Sequence, residues 1–524
     1  MRRLEAEFAA ELALVRPALS TRYAEALPGA RAAVLGRLWR GLLYEPLPGL
    51  TPTGPSCVML ADGRRLTGRA RLPYDLGHEP ALWLDGRPYP HPAELLAALA
   101  LPGTTRLVED LGNSVASLAL ARAGAPTTPP ETPEEHEQSV VDGHPYHPGC
   151  RNRPGVSVAE QLAYMPEHRP TVLLDLLAVP ARDCLVSGPW PASLMDGDRL
   201  LLPLHPWQTR HVLPVLGMRP YATGAVPARP LMSVRTLAPV DGGPHVKTAF
   251  TTRMTSGVRD ISPGSVRDCV LLSDLLTTLS TRLGGRLRIA RYLAGAAARA
   301  FGDHSADLSA MLREPTPALT TALDAPAGAV TVLPVAAVTR AMARDPLTWM
   351  TAFARLAMPD LLGLLALGAA LEAHGQNLLV ALDGDGLPRR LIYRDLADVR
   401  LGPARLGRGG VEVPPVSARL LSDDPAVLRA KLFGSLVGTT FGSLVALFGQ
   451  GDRAVESRLW AVVAAAARDA YGELPATRDV HADRKALFAP YLTAKAHLLT
   501  RLEGAPPGDS WTRLPNPLTA RAAL

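Results

Sequence analysis

Cationic and hydroxyl-bearing residues are concentrated in one segment, residues 229–260 (RPLMSVRTLAPVDGGPHVKTAFTTRMTSGVRD). The segment predicts a β-hairpin, because residues 231–238 and 245–256 are rich in Val, Thr, Leu and Phe and the Asp-Gly-Gly-Pro sequence between them is a strong turn signal. Side chains two residues apart share one face of a strand. One face would therefore carry Ser233 and Arg235 on the first strand and Lys247, Thr251, Arg253 and Thr255 on the second, with Arg259 just beyond.

A strand face of this composition suits a polyanionic ligand. Guanidinium forks and ammonium groups bind phosphate and carboxylate, and hydroxyls supply further donors. The alternative is the solvated outer face of an exposed hairpin, which is common in antiparallel sheets. The periodicity by itself leaves both interpretations open.

A second polar group is predicted at the base of another hairpin. Strands at 378–382 and 390–393, joined by an Asp-Gly-Asp-Gly turn, place Asn377 and Asp395 at the two open ends. An amide oxygen and a carboxylate there suit Mg²⁺, which prefers hard oxygen ligands and usually binds together with substrate phosphates. The spacing is similar to that of the catalytic-loop Asn and the metal-binding Asp of protein kinases. The alternative is a hairpin with incidentally polar ends, which is less favoured beside three further polar residues: Glu372, His374 and Gln376.

Two further stretches would position polar side chains. An apolar helix is predicted at 347–373, with Gly375 as its C-terminal cap, directly before the second hairpin. In GHPYHPGCRNRPGVS, residues 143–157, a proline follows each histidine and restricts the local backbone. The simple alternative is a surface turn, and a metal site is disfavoured because no further His or Cys follows at ligand spacing. The rigid loop would otherwise present four side chains to phosphate: His144, His147, Arg151 and Arg153.

The remaining patterns are mostly helical. Helices are expected over residues 1–44, 93–123, 265–283, 296–313 and 425–524, the last of them at 495–502, and short strands over residues 50–93, 200–204 and 286–292. The HPWQ sequence after residue 204 indicates a structural corner. Together the patterns predict an α+β protein.

The chain is too long for a single core. Its 524 residues predict two to four domains, and a Pro/Thr-rich stretch near residue 133 and a junction at 325–329 give domains 1–133, 134–329 and 330–524. A hydrophobic content of 47% with 20% charged residues is typical of a globular protein. The net charge of +6 is compatible with small anionic substrates and does not indicate nucleic acid, since no basic run with interleaved aromatic residues is present.

Composition also bears on the cellular compartment. The four cysteines are widely spaced and match no zinc or redox pattern, so reduced thiols in a cytoplasmic protein are expected. Charges interrupt the N-terminal residues, which predict an amphipathic helix and not a secretory signal. Because no uncharged apolar run is long enough to span a membrane, no membrane partner is expected.

Taken together, these stretches resemble the NRPS-independent siderophore synthetases of the IucA/IucC family. The resemblance covers about residues 137–518. Its marks are GHPYHPxxRxRxG (143–155), LHPWQ (204–208), SVRT (233–236), the K-T…T-S-x-x-R pattern from Lys247 to Arg259, EAHGQN (372–377), RD (394–395), KAHLLTRL (495–502) and NPL (516–518). Each mark is weak by itself, but their order and spacing in one chain are specific.

The resemblance implies a fold and a reaction. The fold would be hand-like, with residues 1–133 as thumb, 134–329 as fingers and 330–524 as palm. The reaction would be an ATP-dependent ligation in which a carboxylate of citrate or a related acid becomes an acyl-adenylate with loss of pyrophosphate. An amine or hydroxyl then attacks to give an amide or ester. ATP and Mg²⁺ are the implied cofactors, and a homodimer is compatible with such a fold.

Carried over by motif, the resemblance also implies residue roles. ATP would be bound by His144, His147, Arg153, Ser233, Arg235, Thr236, Lys247, Gln376 and Asn377. The carboxylic acid would be held by Thr255, Arg259 and His374, and magnesium by Glu372, Asn377 and Asp395. The implied catalytic residues are Arg259, His374 and Lys247. Arg151 receives no role, because members often carry lysine there and a fork replaces a point charge.

Two other functions remain open. The Asn377 and Asp395 pair is compatible with a kinase-like phosphotransferase, although neither common Gly-rich phosphate loop is present. A siderophore- or citrate-binding module that has lost catalysis is the non-enzymatic alternative, which the retained polar residues argue against. The adenylation hypothesis requires the two hairpins to meet around one cavity, with Lys247 facing Asp395.

Overall fold

The computed structural model describes residues 2–255, 257–320, 330–505 and 508–519. The α-helices within these residues are Arg3–Val15, Ser20–Tyr44, Pro92–Leu99, Thr105–Gly124, Pro133–Gln138, Val158–Tyr164, Pro206–His211, Pro263–Arg282, Thr316–Thr320, Pro346–Leu367, Pro403–Arg408, Pro425–Ser435, Gly442–Gly449, Arg453–Glu473 and Arg478–Leu487. Several begin with proline after a residue whose side chain caps the helix. Asp345, for example, accepts from the Leu347 and Thr348 N–H groups and precedes Pro346, which needs no hydrogen-bond acceptor.

Most strands of the described residues belong to three sheets. The first contains Leu50–Pro52, Cys57–Leu60, Arg65–Thr67, Leu82–Leu84 and Arg87–Tyr89 in sequence order. The second contains nine antiparallel strands in the order Cys184–Ser187, Tyr292–Ala298, Ser309–Arg313, His245–Thr248, Thr236–Pro239, Ala222–Pro230, Val172–Pro180, Arg199–Leu204 and Met195–Asp196. The third has the order Leu287–Ile289, Pro388–Tyr393, Leu378–Leu382 and Thr331–Pro334, with its first pair parallel. Mixed helices and largely antiparallel sheets agree with the predicted class.

The first predicted hairpin is confirmed in outline and corrected in detail. Thr236–Pro239 pairs with His245–Thr248 across the predicted turn, and Thr236 lies opposite Lys247. Residues 231–235 form turns instead of a strand, so Ser233 and Arg235 lie in a loop. After Thr248 the chain leaves the large sheet and forms a separate ribbon, in which Phe250–Met254 pairs with Gly257–Arg259.

This break separates side chains that a continuous strand would have placed on one face. Buried Phe250 stacks on Trp207 (ring centroids 4.9 Å apart) and draws the chain toward the HPWQ corner. Thr251 faces away from its predicted neighbours and donates to Asp307 Oδ1 (2.6 Å). The prediction of one continuous cationic face was therefore wrong, because core packing of Phe250 overrides the two-residue period.

The second predicted hairpin is confirmed, and the helix before it is shorter than predicted. Leu378–Leu382 pairs with Pro388–Tyr393, and the Arg394 N–H donates to the Asn377 carbonyl (3.0 Å). The helix Pro346–Leu367 ends at Gly368, whose φ of +107° is the left-handed conformation that glycine adopts most easily. Gly375 is therefore not the cap, and its carbonyl instead accepts from the Ala336 N–H (2.9 Å).

Two other helix predictions were wrong because strand pairing in the folded chain outweighed local preference. The helix predicted at 296–313 is instead the end of the strand Tyr292–Ala298, a 3₁₀ segment at Arg299–Ala306 and the strand Ser309–Arg313, and both strands belong to the large sheet. Near the C-terminus Tyr491–Lys495 pairs with Trp511–Pro515, and only Leu499–Arg501 forms a short 3₁₀ turn. The expectation of an all-helical C-terminal region was incorrect for these residues.

The N-terminal region is tied to the end of the chain. Its helices Ser20–Tyr44 and Thr105–Gly124 share a hydrophobic core with Leu498. Buried Glu45 accepts hydrogen bonds from the Leu498 and Leu499 N–H groups, both at 2.8 Å. The division into thumb, fingers and palm stays a prediction, and its boundary at residue 329 lies outside the described residues.

Two segments are apolar and long enough to cross a membrane by length and composition, Pro346–Leu367 and Pro425–Gly449. In the most apolar 18-residue stretch of each segment, 61% of the residues in the first and 72% in the second are buried inside the protein. Core helices have this pattern. All four cysteines are free.

A buried ion pair anchors the second hairpin, and its removal tests that anchor. Arg394 makes a bidentate contact with Glu137, in which the Nη2–Oε2 distance is 2.8 Å and both side chains are at most 5% exposed. Glu137→Gln would leave a buried guanidinium without its counter-charge, which we expect to lower the free energy of unfolding by about 3–5 kcal/mol. Urea denaturation measures the change. The matched variant Glu7→Gln, from an exposed pair with Arg3, should shift the midpoint little, and equal midpoints for the two variants would contradict the anchoring role.

Candidate active site

A cavity of about 1010 Å³ lies where the two hairpins meet. Twelve of the fourteen predicted site residues line it: His144, His147, Arg153, Ser233, Arg235, Thr255, Arg259, Glu372, His374, Gln376, Asn377 and Asp395. Lys247 lies just behind the wall, where it holds Asp395. Thr236 does not line the cavity, and its N–H donates to Ser233 Oγ (3.2 Å), so its contribution is to the shape of the loop.

The predicted meeting of the hairpins is a direct ion pair. Lys247 Nζ lies 2.7 Å from Asp395 Oδ1 and 3.1 Å from the Tyr292 hydroxyl oxygen. Burial lowers the pKa of Lys247 to about 8, against the opposing charge of Asp395. Burial alone would raise the pKa of Asp395, but the charge and hydrogen bond of Lys247 hold it well below the usual range. The pair is therefore ionised at neutral pH.

Two guanidinium groups add positive charge that few acids offset. Arg235 donates to the Asp260 carbonyl, while the Arg259 side chain forms no ion pair with any residue that the structure describes. Burial, and then the charge of Arg235, lowers the pKa of Arg259 to about 10, and Asp395 and Glu372 oppose the shift. Arg259 remains protonated at neutral pH, so its fork is available for a carboxylate or phosphate.

The rigid loop places two predicted histidines against a third. The ring centroid of His497 lies 4.6 Å from that of His144 and 5.2 Å from that of His147. Burial lowers the pKa of His147 to about 3 and that of His144 and His497 well below the usual value, so these rings are neutral. His147 Nδ1 accepts from the Gly149 N–H (2.9 Å), which leaves the proton on Nε2. Nε2 is buried and has no partner among the described residues, so it is a donor that a ligand can use.

The two loop arginines have structural partners. Arg153 Nη1 lies 2.6 Å from buried Glu167. Arg151 donates to the Val140 and Val141 carbonyls, with Nε at 2.7 Å from the latter. A guanidinium fork suits two carbonyls better than an ammonium point charge, which explains how arginine serves at position 151.

The segment 372–377 lines the opposite side of the cavity. Glu372 Oε1 is 2.7 Å from Lys495 Nζ and 3.5 Å from Lys431 Nζ. Burial would raise the pKa of Glu372, but the charges of Lys495 and Lys431 lower it well below the usual range. Burial lowers the pKa of His374, which is therefore neutral at pH 7.

The predicted magnesium ligands differ in how well they fit a metal ion. Asp395 Oδ2 and Asn377 Oδ1 make no hydrogen bond with the described residues, since Asp395 pairs through Oδ1 and Asn377 donates through Nδ2 to the Glu372 carbonyl. The Glu372 carboxylate already has two ammonium partners. Within the described chain no three His, Cys, Asp or Glu side chains converge in a metal-binding arrangement. The donors thus fit an ion that takes most ligands from bound phosphates, with Asp395 and Asn377 from the protein.

Three of the seven described non-glycine residues with a positive φ line the cavity. Val234, Thr255 and Asp395 have φ values of +69°, +55° and +66°, and all three line the cavity. A positive φ is costly for a β-branched residue, and such residues persist mainly where the surrounding structure holds them in place, as at active sites.

Several cavity residues were not assigned from the sequence. His497, Lys495 and Lys431 belong to stretches that the analysis noted without giving them a role. Arg37 comes from the N-terminal region and donates through Nε to the His144 and Pro145 carbonyls (3.1 and 3.2 Å). Arg253, predicted on the cationic face, does not line the cavity. Of these residues only Lys495 and His497 lie in a motif, KAH, that carried a signal in the sequence.

Comparison with known proteins identifies the class. The model of the IucA/IucC family matches residues 132–340, and a model described as ferric iron reductase FhuF-like transporter matches residues 347–509. The second segment contains no cysteine, so it lacks the thiolates that hold iron–sulfur clusters. The match over residues 132–340 supports the IucA/IucC assignment that the motifs predicted.

Individual relatives extend the match over most of the chain. Staphyloferrin A synthase of Staphylococcus aureus is 23% identical over 420 residues, which cover 70% of this chain and 69% of the relative. The D-ornithine–citrate ligase of the same organism is 21% identical over 467 residues, covering 73% and 69%. The crystal structure of the petrobactin biosynthesis protein AsbB from Bacillus anthracis has a TM-score of 0.77 at 18% identity, over 96% of this chain and 98% of that one. ATP-bound aerobactin synthetase IucA from Klebsiella pneumoniae has a TM-score of 0.73 at 22% identity, over 94% and 99%.

Proposed function

We propose that this protein is an ATP-dependent siderophore synthetase. It adenylates a carboxylate of citrate or a related polycarboxylic acid and condenses it with an amine or hydroxyl to form an amide or ester. The observation that carries the proposal is the cavity in which Arg259, free of any carboxylate among the described residues, lies beside the Lys247–Asp395 pair. Relatives that join acids to amines share most of the chain's length.

Adenylation requires a carboxylate to approach the α-phosphorus of ATP against charge repulsion. In this proposal Arg235, Ser233 and the Nε2–H of His147 bind the phosphates, and Lys247 adds positive charge from behind the cavity wall while it holds Asp395. The loop around His144 and Arg153 is held rigid from behind. Arg259 takes the substrate carboxylate with its fork, assisted by Thr255 and His374. Holding both partners in line contributes several kcal/mol, with an upper range of about 7–11 kcal/mol.

Magnesium would be held by Asp395 and Asn377 and would offset the negative charge of the phosphates. Gln376 lies beside them on the nucleotide side. Glu372, whose charge is matched by two lysines, orients the neighbouring His374 in place of binding the metal directly. In the second step neutral His374 accepts the proton that the attacking amine or hydroxyl releases, a role that its low pKa permits.

The proposal also implies the substrates, the partners and the compartment of the enzyme. Its partners are small acids and amines or alcohols, and neither nucleic acid nor a membrane is required. Reduced cysteines and the use of ATP suit a cytoplasmic enzyme, and a homodimer remains compatible. A kinase-like reaction would use the same Asp395 and Asn377 but release ADP, whereas adenylation releases AMP and pyrophosphate, so the nucleotide product separates the two.

Replacing the substrate clamp tests the proposal. Arg259→Ala should reduce acid-dependent pyrophosphate release by about 10²–10³-fold, because one charge-stabilising donor at the reacting group is lost. Pyrophosphate release is measured over a panel of di- and tricarboxylic acids, with products identified by mass spectrometry after addition of amines. Arg253→Ala, from the same ribbon but outside the cavity, is the matched control. Wild-type release from Arg259→Ala would remove this residue from the site.

The metal role of Asp395 predicts a second result. In Asp395→Asn the carboxylate is lost and Lys247 has no counter-ion, so magnesium-dependent nucleotide binding should weaken by about 10-fold or more, the expected cost of losing one charge-assisted contact. Calorimetric titration of ATP with and without Mg²⁺ measures it. An unchanged magnesium dependence would contradict the assignment.

The pKa of Lys247 predicts a pH dependence. Below about pH 8 the side chain is a cation that attracts phosphate, and above that pH it loses its proton, so ATP affinity should fall as pH rises through about 8. Because binding reports the pKa of the free protein, the break should appear in titrations from pH 6.5 to 9.5. Lys247→Arg keeps the charge over this range and should abolish the break. A break that survives in Lys247→Arg would assign it to another group.

A further inference from the structure

A single helical rod lies under the segment that carries Glu372 and His374. The rod consists of Pro425–Ser435, the π turn Leu436–Phe441 and Gly442–Gly449. Sequence analysis predicts a helix here without assigning it a role. Lys431 on the rod lies 3.5 Å from the Glu372 carboxylate, and Ser435 and Thr439 of the rod also line the cavity.

Two hydroxyls of the rod hold the backbone of one residue in this segment. Ser435 Oγ accepts from the Ala373 N–H (2.9 Å), and Thr440 Oγ1 donates to the Ala373 carbonyl (2.7 Å). Ala373 is fully buried, and so is Thr440. Because Ala373 lies between Glu372 and His374, fixing both of its polar backbone groups fixes the direction of the side chains on either side.

The π turn makes this arrangement possible. Ser435 and Thr440 are five residues apart, which in an α-helix would place them about 140° apart around the axis. A π turn closes hydrogen bonds between residues five apart and brings such positions to the same side. The Thr439 side-chain hydroxyl, inside the turn, donates to the Gly434 carbonyl (3.4 Å). Isolated π turns are frequent at functional sites, and here the extra residue lets two hydroxyls reach the N–H and the carbonyl of one residue, Ala373.

The remaining backbone groups of the segment are also satisfied. The Glu372 N–H donates to the Tyr393 hydroxyl (3.2 Å), and the Glu372 carbonyl accepts from Asn377 Nδ2 (3.2 Å). The His374 carbonyl accepts from the Asn377 and Leu378 N–H groups. Without the two hydroxyls, the N–H and carbonyl of Ala373 would be the groups left unpaired in a buried place, which is unfavourable.

Glycines hold the rod close to the rest of the site. A Cβ on Gly434 would lie 2.9 Å from the Thr493 carbonyl, in the strand that carries Lys495, and one on Gly442 would lie 2.9 Å from the Tyr146 hydroxyl, in the His144–His147 loop. Both contacts are tighter than a side chain tolerates. The rod is thus in contact with three elements of the cavity, and its position is fixed relative to each.

We infer that Ser435 and Thr440 are positioning residues for the acid-binding half of the site: through the π turn they clamp Ala373 and so aim His374 and Glu372 into the cavity. The inference rests on the proposed function for its kinetic consequence, but the clamp itself is a property of the fold. Neither hydroxyl is proposed to touch a substrate.

The experiment compares Thr440→Val, Thr440→Ser and Ser435→Ala. Thr277→Val is the control, since Thr277 also bonds a helix carbonyl, that of Ser273, but lies outside the cavity. Thr440→Val should lower kcat/KM for the acid by about 10- to 100-fold, the cost of misplacing a reacting group. ATP affinity measured without acid should be retained, because the phosphate contacts come mostly from the other hairpin. Thr440→Ser should restore acid kinetics, since it keeps the hydroxyl.

Hydrogen exchange supplies a readout that does not depend on activity. Ser435→Ala should accelerate exchange at the Ala373 amide while peptides elsewhere exchange as in the wild type. Kinetics and exchange of Thr440→Val that match Thr277→Val would overturn the inference, as would faster exchange throughout the chain or a Thr440→Ser variant that fails to recover. If the wild type released no pyrophosphate with any acid, the proposed function would fail, and the Ala373 exchange rate alone would still decide whether the clamp exists.

Discussion

The site depends on one ion pair, between Lys247 of the large sheet and Asp395 at the end of the smaller one. The two residues are 148 positions apart in the chain, and each lies on a hairpin that is stable for reasons of its own. Their contact is what turns two polar ribbons into one cavity. Since a buried lysine without a counter-charge would lose its proton more readily, the pair also keeps Lys247 charged at neutral pH.

Around this pair the protein keeps cations in excess where a polyanion would bind. Three nearby acids have cationic partners: Glu137 pairs with Arg394, Glu167 with Arg153, and Glu372 with two lysines. Arg259 receives no such partner among the described residues. Burial meanwhile keeps the histidines neutral, so they add hydrogen-bond donors and acceptors without adding charge. Free positive charge together with neutral histidines suits a ligase that binds phosphates and carboxylates and must also admit an amine or hydroxyl substrate.

Rigid support comes from two elements that also line part of the cavity, the N-terminal region and the helical rod. Arg37 of the N-terminal region fixes the His144 loop from one side, and the helical rod with its π turn fixes the Ala373 segment from the other. The N-terminal region is therefore part of the working site and not an attached accessory.

Local sequence determined both hairpins, the proline-restricted loop and the family, because turn residues, strand composition and motif order act over short stretches. Of the fourteen site residues predicted from the sequence, twelve line the cavity, because the order of the motifs indicates which hairpins carry the polar side chains. Only the tertiary structure decided which polar residues leave the cationic face, as Thr251 and Arg253 do when Phe250 packs against Trp207. The strand at Tyr292–Ala298 and the clamp on Ala373 likewise depend on partners distant in the chain. Such contacts follow from burial and pairing in three dimensions, which no period along the sequence encodes.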